Sequence, residues 1–295
     1  MGFPTLDDDM NFDTADDLHL HCGSHVLSLR YPLVMGIINL TDDSFSGDGL
    51  HGNARRAIEQ GLRMVEEGAH ILDIGAESSR PGAAPVSVAQ EEARLLPVVE
   101  GLLECGVPLS VDTTKPEVMQ SALAVGAEMI NDINALQAPR ALELVAASRA
   151  AVCLMHMQGN PGTMQQAPQY VDVVSEVAEF LAQRIAAAEA AGIDLERIVV
   201  DPGFGFGKTL EQNLALLRSL DELCMPGLPL MVGLSRKSML GLLTGRAAGE
   251  RVHASIAAAM LAVARGANIL RVHDVAATRD ALAVWNALKE PQNES

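Results

Sequence analysis

Short apolar runs alternate along the chain with longer stretches in which apolar residues recur every three or four positions. Eight runs read as strands: Leu33–Leu40, His70–Gly75, Pro108–Asp112, Glu128–Asp132, Ala151–His156, Arg197–Asp201, Pro229–Gly233 and Asn268–His273. Helical stripes lie between them. Ala54, Ile58, Leu62 and Val65 precede Gly68; Val118, Ala122 and Val125 precede Gly126; Val252, Ile256, Met260 and Val263 precede Gly266. Pro116 suits a first helical turn, where its missing N–H is not needed. A glycine just past each stripe suits the left-handed residue that ends a helix. The alanine-rich Glu176–Ala191 favours helix, and Ala277–Lys289 reads as the closing one.

Three of these junctions repeat one unit: GAHILDIG (Gly68–Gly75), GAEMINDI (Gly126–Ile133) and GANILRVH (Gly266–His273). Each leaves a helix at glycine, enters a short buried strand and delivers a polar residue five positions on: Asp73, Asn131 and Arg271. Eight such βα units predict an α/β protein, a single (β/α)8 TIM barrel. The rival, a doubly wound open sheet, calls for a Gly-rich loop after the first strand. Met35–Asn39 leads instead into Thr41-Asp42-Asp43-Ser44-Phe45. Upstream, Leu18–Leu29 alternates around Cys22-Gly23-Ser24 and predicts an N-terminal β-hairpin. The expected organisation is an acidic, disordered lead over 1–17, one unit over 18–290 (hairpin 18–29, barrel 32–288) and a tail over 291–295.

A TIM barrel places its chemistry at the carboxyl ends of the strands. Those ends carry Asn39; Asp73 with Glu77, Ser79 and Arg80; Asp112; Asn131 with Asp132; His156; Asp201; Ser235-Arg236-Lys237; and Arg271 with His273. Asp112, Asn131 and Asp201 form an acceptor group suited to the N–H edge of a nitrogen heterocycle. Arg80, Lys237, Arg271 and His273 form a cationic group suited to phosphate or pyrophosphate. Asp43, Asp73 and Asp132 read equally well as structural caps or bridges.

Composition narrows the partners. The chain has 295 residues, 48% hydrophobic and 20% charged, with a net charge of −17. That balance argues against a nucleic-acid footprint and against an anionic membrane surface. At 3% aromatic residues, a flat ligand finds few rings to stack on. Cys22, Cys105, Cys153 and Cys224 form no C-x-x-C pair, which argues against disulfides and thiolate zinc. With no signal-peptide pattern and no apolar run near 18 residues, a cytoplasmic location is expected.

Three motifs are set aside. Asp201–Thr209 (DPGFGFGKT) has Pro202 where a phosphate loop needs its first glycine, so it reads as a glycine-rich turn. His19, His21, Cys22 and His25 have the spacing of a hairpin rather than of a zinc site. Met155 and Met157 around His156 read as core or pocket wall.

In combination the motifs resemble the dihydropteroate synthases of bacterial folate biosynthesis. They run in order over about Pro32 to Leu288: MGIINLTDDSF (Met35–Phe45), DIGAESSRPG (Asp73–Gly82), SVDT (Ser110–Thr113), INDI (Ile130–Ile133), MHMQGNPGTM (Met155–Met164), DPGFGFGK (Asp201–Lys208), SRKS (Ser235–Ser238) and RVHD (Arg271–Asp274). The resemblance implies condensation of a pterin-methyl pyrophosphate with p-aminobenzoate, releasing pyrophosphate. It implies that Asp201, Asn131 and Asp112 read the pterin edge, with Lys237 near the ring carbonyl and imine nitrogen and Phe206 as pocket wall. It places Arg271 over the pterin face and on the pyrophosphate, beside Arg80 and His273. It assigns Phe45, Ser79, Pro81 and Ser235 to p-aminobenzoate and Asn39 to Mg²⁺. Catalysis would fall to Lys237, Arg271, Asp112 and Arg80, in a homodimer without a covalent enzyme intermediate.

Departures fall in two loops. Thr41-Asp42-Asp43 stands where the family commonly has Thr-Pro-Asp, and Ser46-Gly47-Asp48-Gly49 where Ser-Asp-Gly-Gly is commoner; Ala76 and Ser79 replace the usual Gly and Thr. Gly47, Gly49 and Gly52 are expected to keep the first loop flexible. Two other readings share the Asp and Asn positions. One is a pterin-binding methyltransferase-type barrel, which has no pyrophosphate to anchor with Ser235-Arg236-Lys237 and Arg271-Val272-His273. The other is a non-catalytic pterin-binding paralogue, which would be marked by loss of Asn39, Lys237 or Arg271; all three are present.

Overall fold

Two separate apolar layers, drawn from alternate residues of the same strands, organise the molecule. The computed structural model describes residues 18–40, 49–78, 85–160, 162–164 and 167–289. It opens with an antiparallel hairpin, β1 (His19–Cys22) and β2 (His25–Ser28), paired from His19↔Ser28 to Cys22↔His25. The remaining strands are β3 (Leu33–Asn39), β4 (Ile71–Gly75), β5 (Leu109–Asp112), β6 (Met129–Asp132), β7 (Ala151–Met155), β8 (Ile198–Asp201), β9 (Met231–Val232) and β10 (Ile269–Val272). From β3 to β8 each strand pairs in parallel with the next, β9 pairs with β10 and β10 with β3, and a single parallel bridge, Val200↔Leu230, joins β8 to the segment entering β9. The ladder is thereby closed into the expected barrel.

The helices are α1 (Gly49–Glu66), α2 (Val88–Leu102), α3 (Pro116–Val125), α4 (Ala141–Ala146), α5 (Val173–Ala190), α6 (Leu210–Arg218), α7 (Ser238–Thr244), α8 (Val252–Val263) and α9 (Val275–Lys289). The three stripes read from sequence are α1, α3 and α8, and Gly68, Gly126 and Gly266 have φ of +94°, +124° and +96°. Asp172 caps α5 by accepting from the Val174 N–H. α1 starts at Gly49, ahead of its stripe, so Gly49 and Gly52 belong to a helix and not to the loop assigned them by sequence. The strand expected over Pro229–Gly233 shrinks to two residues. Pro229 has no N–H to give a ladder, and the Leu230 N–H goes to the Asn268 side chain.

Strand side chains alternate between the two faces. Val34, Ile38, Leu72, Ile74, Val111, Ile130, Val152, Leu154, Val200, Val232 and Leu270 pack outward against the helices. Leu33, Met35, Ile71, Met129, Ala151, Cys153, Val199, Met231 and Ile269 fill the interior, and Leu20, Cys22 and Leu29 close that layer from the hairpin side. The hairpin is therefore the floor of the barrel. Its turn sits against Glu128, whose carboxylate accepts from Ser24 and pairs with His25 at 2.9 Å. With φ of +63° and Glu128 pressed against it, the turn position suits only glycine, Gly23.

Candidate active site

The alternation that fills the floor also furnishes the mouth. Two residues beyond the interior apolar residues Ile71, Met129, Val199 and Ile269 stand Asp73, Asn131, Asp201 and Arg271. On the same parity β5 contributes Ser110 and Asp112. The repeated Gly-Ala unit thus sets two inward positions, an apolar one three residues past glycine and a polar one five past it.

Arg271 is the hub. Its Nε donates to Asp73 Oδ2 at 2.6 Å, and its Nη2 donates to Asp112 Oδ2 at 2.7 Å. Asp73 is fully buried and accepts twice more, from Ser110 Oγ at 2.7 Å and from Asn131 Nδ2 at 3.1 Å. From sequence, Asp73 read equally well as a structural cap or bridge at its own strand end. Its observed partners are instead the interior groups Ser110, Asn131 and Arg271, because residue parity directs it into the barrel. Asp132 faces the other way and accepts from the Asn134 and Leu136 N–H groups, so its role is to cap a turn.

The electrostatics follow from burial in a shared cluster. Removal from water pushes the Asp112 carboxyl up to about 7, with Arg271 opposing and Asp73 adding to the rise. Burial also raises Asp201, against the Gly203 N–H that donates to its Oδ1 at 2.7 Å. The two carboxylates hold Arg271 firmly cationic despite its burial. Lys237 is brought down to about 8 by burial and by Arg271, while Asp201 and Asp112 pull it up. Its ammonium lies 4.2 Å from the centre of the Phe206 ring.

Phe206 belongs to a small apolar cluster with Ile133, Met155 and Met164, flanked by Met157. The methionines around His156 are therefore wall. At the ends of β9 and β10, Ser235 Oγ and His273 Nδ1 are 3.0 Å apart, and Ser235 Oγ accepts the His273 N–H. Burial and the nearby Arg236 and Arg271 lower His273 to about 4, so it is a neutral donor rather than the cation counted from sequence. Arg236, at φ +58°, forks onto Asp274 at 3.1 and 2.5 Å and binds the two loops together. Asn39 ends β3, in register with Gly75 of β4.

Phe45, Ser79, Arg80 and Pro81 lie outside the described residues, as do residues 1–17 and the tail. The borders of the second loop are described. Glu77 accepts the Val86 N–H at 3.0 Å, and Lys115 bridges Glu77 and the fully buried Glu91 of α2.

The set-aside motifs are structural. In the turn after β8 the Gly203, Gly205 and Phe206 N–H groups go to Asp201 Oδ1, Asn213 Oδ1 and Gly203 O. His21 pairs with Glu196 and the Cys22 thiol donates to Glu128 O. Among the described residues no three His, Cys, Asp or Glu side chains gather as metal ligands, and no helix is long and apolar enough to cross a membrane. Sequence reading missed Lys208 as a site residue. It is 3% exposed and makes its contacts within the turn and to His156. A lysine ending a run of alternating glycines was the available signal, since such a turn points carbonyls at one centre.

Residues 35–273 match the family described as pterin binding enzyme. The chain is 52% identical over 273 residues to the dihydropteroate synthase of Neisseria meningitidis serogroup B, covering 90% of this chain and 96% of the relative. It is 50% identical over 262 residues to that of Escherichia coli, covering 88% and 93%. Among solved structures, Xanthomonas albilineans dihydropteroate synthase with 4-aminobenzoic acid superposes with a TM-score of 0.87 at 54% identity, covering 92% of this chain and 99% of that one. The Burkholderia cenocepacia enzyme complexed with 7,8-dihydropteroate gives 0.85 at 49%, covering 92% and 96%. The chain belongs to the pterin binding enzymes and, within them, to the dihydropteroate synthases.

Proposed function

We propose that the chain condenses 6-hydroxymethyl-7,8-dihydropterin pyrophosphate with p-aminobenzoate to give 7,8-dihydropteroate and pyrophosphate. The observation that carries this is the Asp73–Arg271–Asp112 bridge with Lys237 beside it. It offers carboxylates to a heterocycle edge and cations to a leaving anion within one mouth. The relatives crystallised with 4-aminobenzoic acid and with 7,8-dihydropteroate support the choice of substrates.

Asp201 and Asp112 accept the N–H groups of the pterin. Asn131, whose amide nitrogen is committed to Asp73, offers its carbonyl oxygen to the same edge. Lys237 donates to the ring carbonyl and imine nitrogen, and Phe206 lines the ring. Cleavage of the CH₂–O bond leaves charge on pyrophosphate, which Arg271, Arg80 and His273 stabilise. The pterin methylene becomes electron-poor, and Asp112 stabilises it while the aromatic amine attacks without a strong base. Phe45, Ser79, Pro81 and Ser235 bound the p-aminobenzoate side. Arg271 is oriented before substrate arrives, so little of its ordering cost falls on the reaction.

Asn39 fits Mg²⁺: a hard amide oxygen at a strand end suits an ion that keeps most of its ligands as water and phosphate oxygens. When bound, the ion neutralises charge on the departing pyrophosphate. Association as a homodimer is supported by Leu242, Leu243, Leu261, Val284 and Leu288, exposed apolar residues on α7, α8 and α9. The acidic net charge supports a chain that works on small molecules without nucleic acid, and four free cysteines support a reducing cytoplasm. The test is product formation: wild type is expected to make 7,8-dihydropteroate from the two substrates, and its absence with well-folded protein overturns the reading.

A further inference from the structure

We propose that Lys208 is a positioning residue for the pterin, the post around which the turn Asp201–Lys208 is built and by which Asp201 and Phe206 are set against the ring. This rests on the reading that the barrel mouth binds a pterin pyrophosphate.

Lys208 is almost wholly enclosed, and lysines are seldom buried unless every donor is used. Here all three are used. Its Nζ donates to Gly203 O at 2.9 Å and Phe206 O at 3.0 Å, and lies 3.0 Å from His156 Nδ1. Burial and the ammonium itself hold His156 neutral, at about 3, so Nδ1 accepts. The two carbonyls belong to the residues that matter. Gly203 presents its carbonyl to Lys208 and its N–H to Asp201 Oδ1 at 2.7 Å. Phe206 presents its carbonyl to Lys208 and its ring to Lys237. Fixing these two peptide groups therefore fixes a carboxylate and an aromatic wall.

The outer side is braced separately. Tyr170 OH donates to Gly207 O at 2.9 Å, and Asn213 accepts from the Gly205 N–H and donates to Lys208 O. The His156 N–H donates to Asp201 O, tying the end of β7 to the same residue. A methionine would fill the volume of Lys208 without the cost of burying a charge. Burial brings Lys208 down to about 7 while Asp201 pulls it up, so the lysine contributes the shape of this turn and, when protonated, a cation beside Asp201 that opposes the effect of burial on that carboxylate.

The experiment measures the Kd of 6-hydroxymethyl-7,8-dihydropterin, which lacks pyrophosphate, and the KM of p-aminobenzoate, in wild type, Lys208→Met and Tyr170→Phe. Lys208→Met is expected to weaken pterin binding about tenfold, the worth of one charge-assisted hydrogen bond, with the p-aminobenzoate KM within roughly twofold of wild type. Tyr170→Phe, which loosens the same turn at an outer brace, should weaken pterin binding roughly threefold with the same split. Wild-type pterin affinity in a folded Lys208→Met overturns the proposal, as does equal weakening toward both substrates, which marks general damage. If Lys208→Met does not fold, Tyr170→Phe decides by the same two criteria. A wild type that makes no dihydropteroate instead overturns the parent reading.

Discussion

Arg271 concentrates the chemistry of the mouth because two carboxylates hold it, and those carboxylates differ in exposure. Asp73 is fully buried and serves three donors, whereas Asp112 is partly open to the mouth. Asp73→Asn should therefore cost more than a surface ion pair. It removes the charge that opposes a buried guanidinium, and breaking such a pair costs about 3–5 kcal/mol. The expected outcome is a clearly lowered unfolding midpoint together with loss of turnover; an unchanged midpoint contradicts the arrangement. Lys237→Ala tests the reaction more selectively. Its side chain is half-buried at the mouth, so the fold should persist while kcat/KM falls by about 10²–10³. Wild-type rates in that variant remove the lysine from the mechanism. His273 offers a third reading. In the free chain it stays neutral down to about pH 4, and a neighbouring anion favours the imidazolium. NMR titration with pyrophosphate should move its midpoint upward, and an unmoved midpoint excludes His273 from the anion site.

At the scale of elements, the strands were legible because burial and parity act together. Apolar runs marked where strands lie, and the glycines after α1, α3 and α8 fixed the parity of the strands that follow them. Asn131 and Arg271 were readable from that unit. Asp73 lies on the same parity, and its place in the interior follows from the same count. The α2 helix was harder to see: it runs through Pro97, a residue that usually ends helices, and the fully buried Glu91 breaks its apolar face. The turn after β8 was read correctly as glycine-rich, but its centre was invisible, because Lys208 meets His156 from 52 positions away in the chain. Gly203 probes that turn directly. It has φ +69°, and a Cβ there would run into the His156 carbonyl. Gly203→Ala should destabilise the chain by more than about 1 kcal/mol and weaken pterin binding, measured by thermal unfolding and ligand titration. A variant as stable as wild type contradicts the described turn.

For the whole molecule, the hairpin closes one end of the barrel and leaves the other for substrates, so stability and chemistry occupy opposite ends of the same strands. The exposed leucines of α7 and α8 and the exposed apolar residues of α9 sit on three helices packed in sequence, α7 on α8 and α8 on α9, and support a self-association face. Leu243→Glu is expected to shift sedimentation from dimer toward monomer while leaving the barrel folded; an unchanged distribution moves the interface elsewhere. A heterocycle joined to a phosphate was legible because charges of opposite preference converge on the strand ends, and the ordered motifs narrowed it to folate chemistry by resemblance, although only the folded chain shows that Arg271 is already engaged by the acceptor Asp112 and by Asp73. The central claim, that this mouth expels pyrophosphate from a pterin and hands the methylene to an aromatic amine, is met most directly by measuring pyrophosphate release from 6-hydroxymethyl-7,8-dihydropterin pyrophosphate with Mg²⁺, with and without p-aminobenzoate. The account predicts release that needs Mg²⁺ and, with p-aminobenzoate present, matches 7,8-dihydropteroate mole for mole. Folded protein that releases no pyrophosphate under either condition would contradict it.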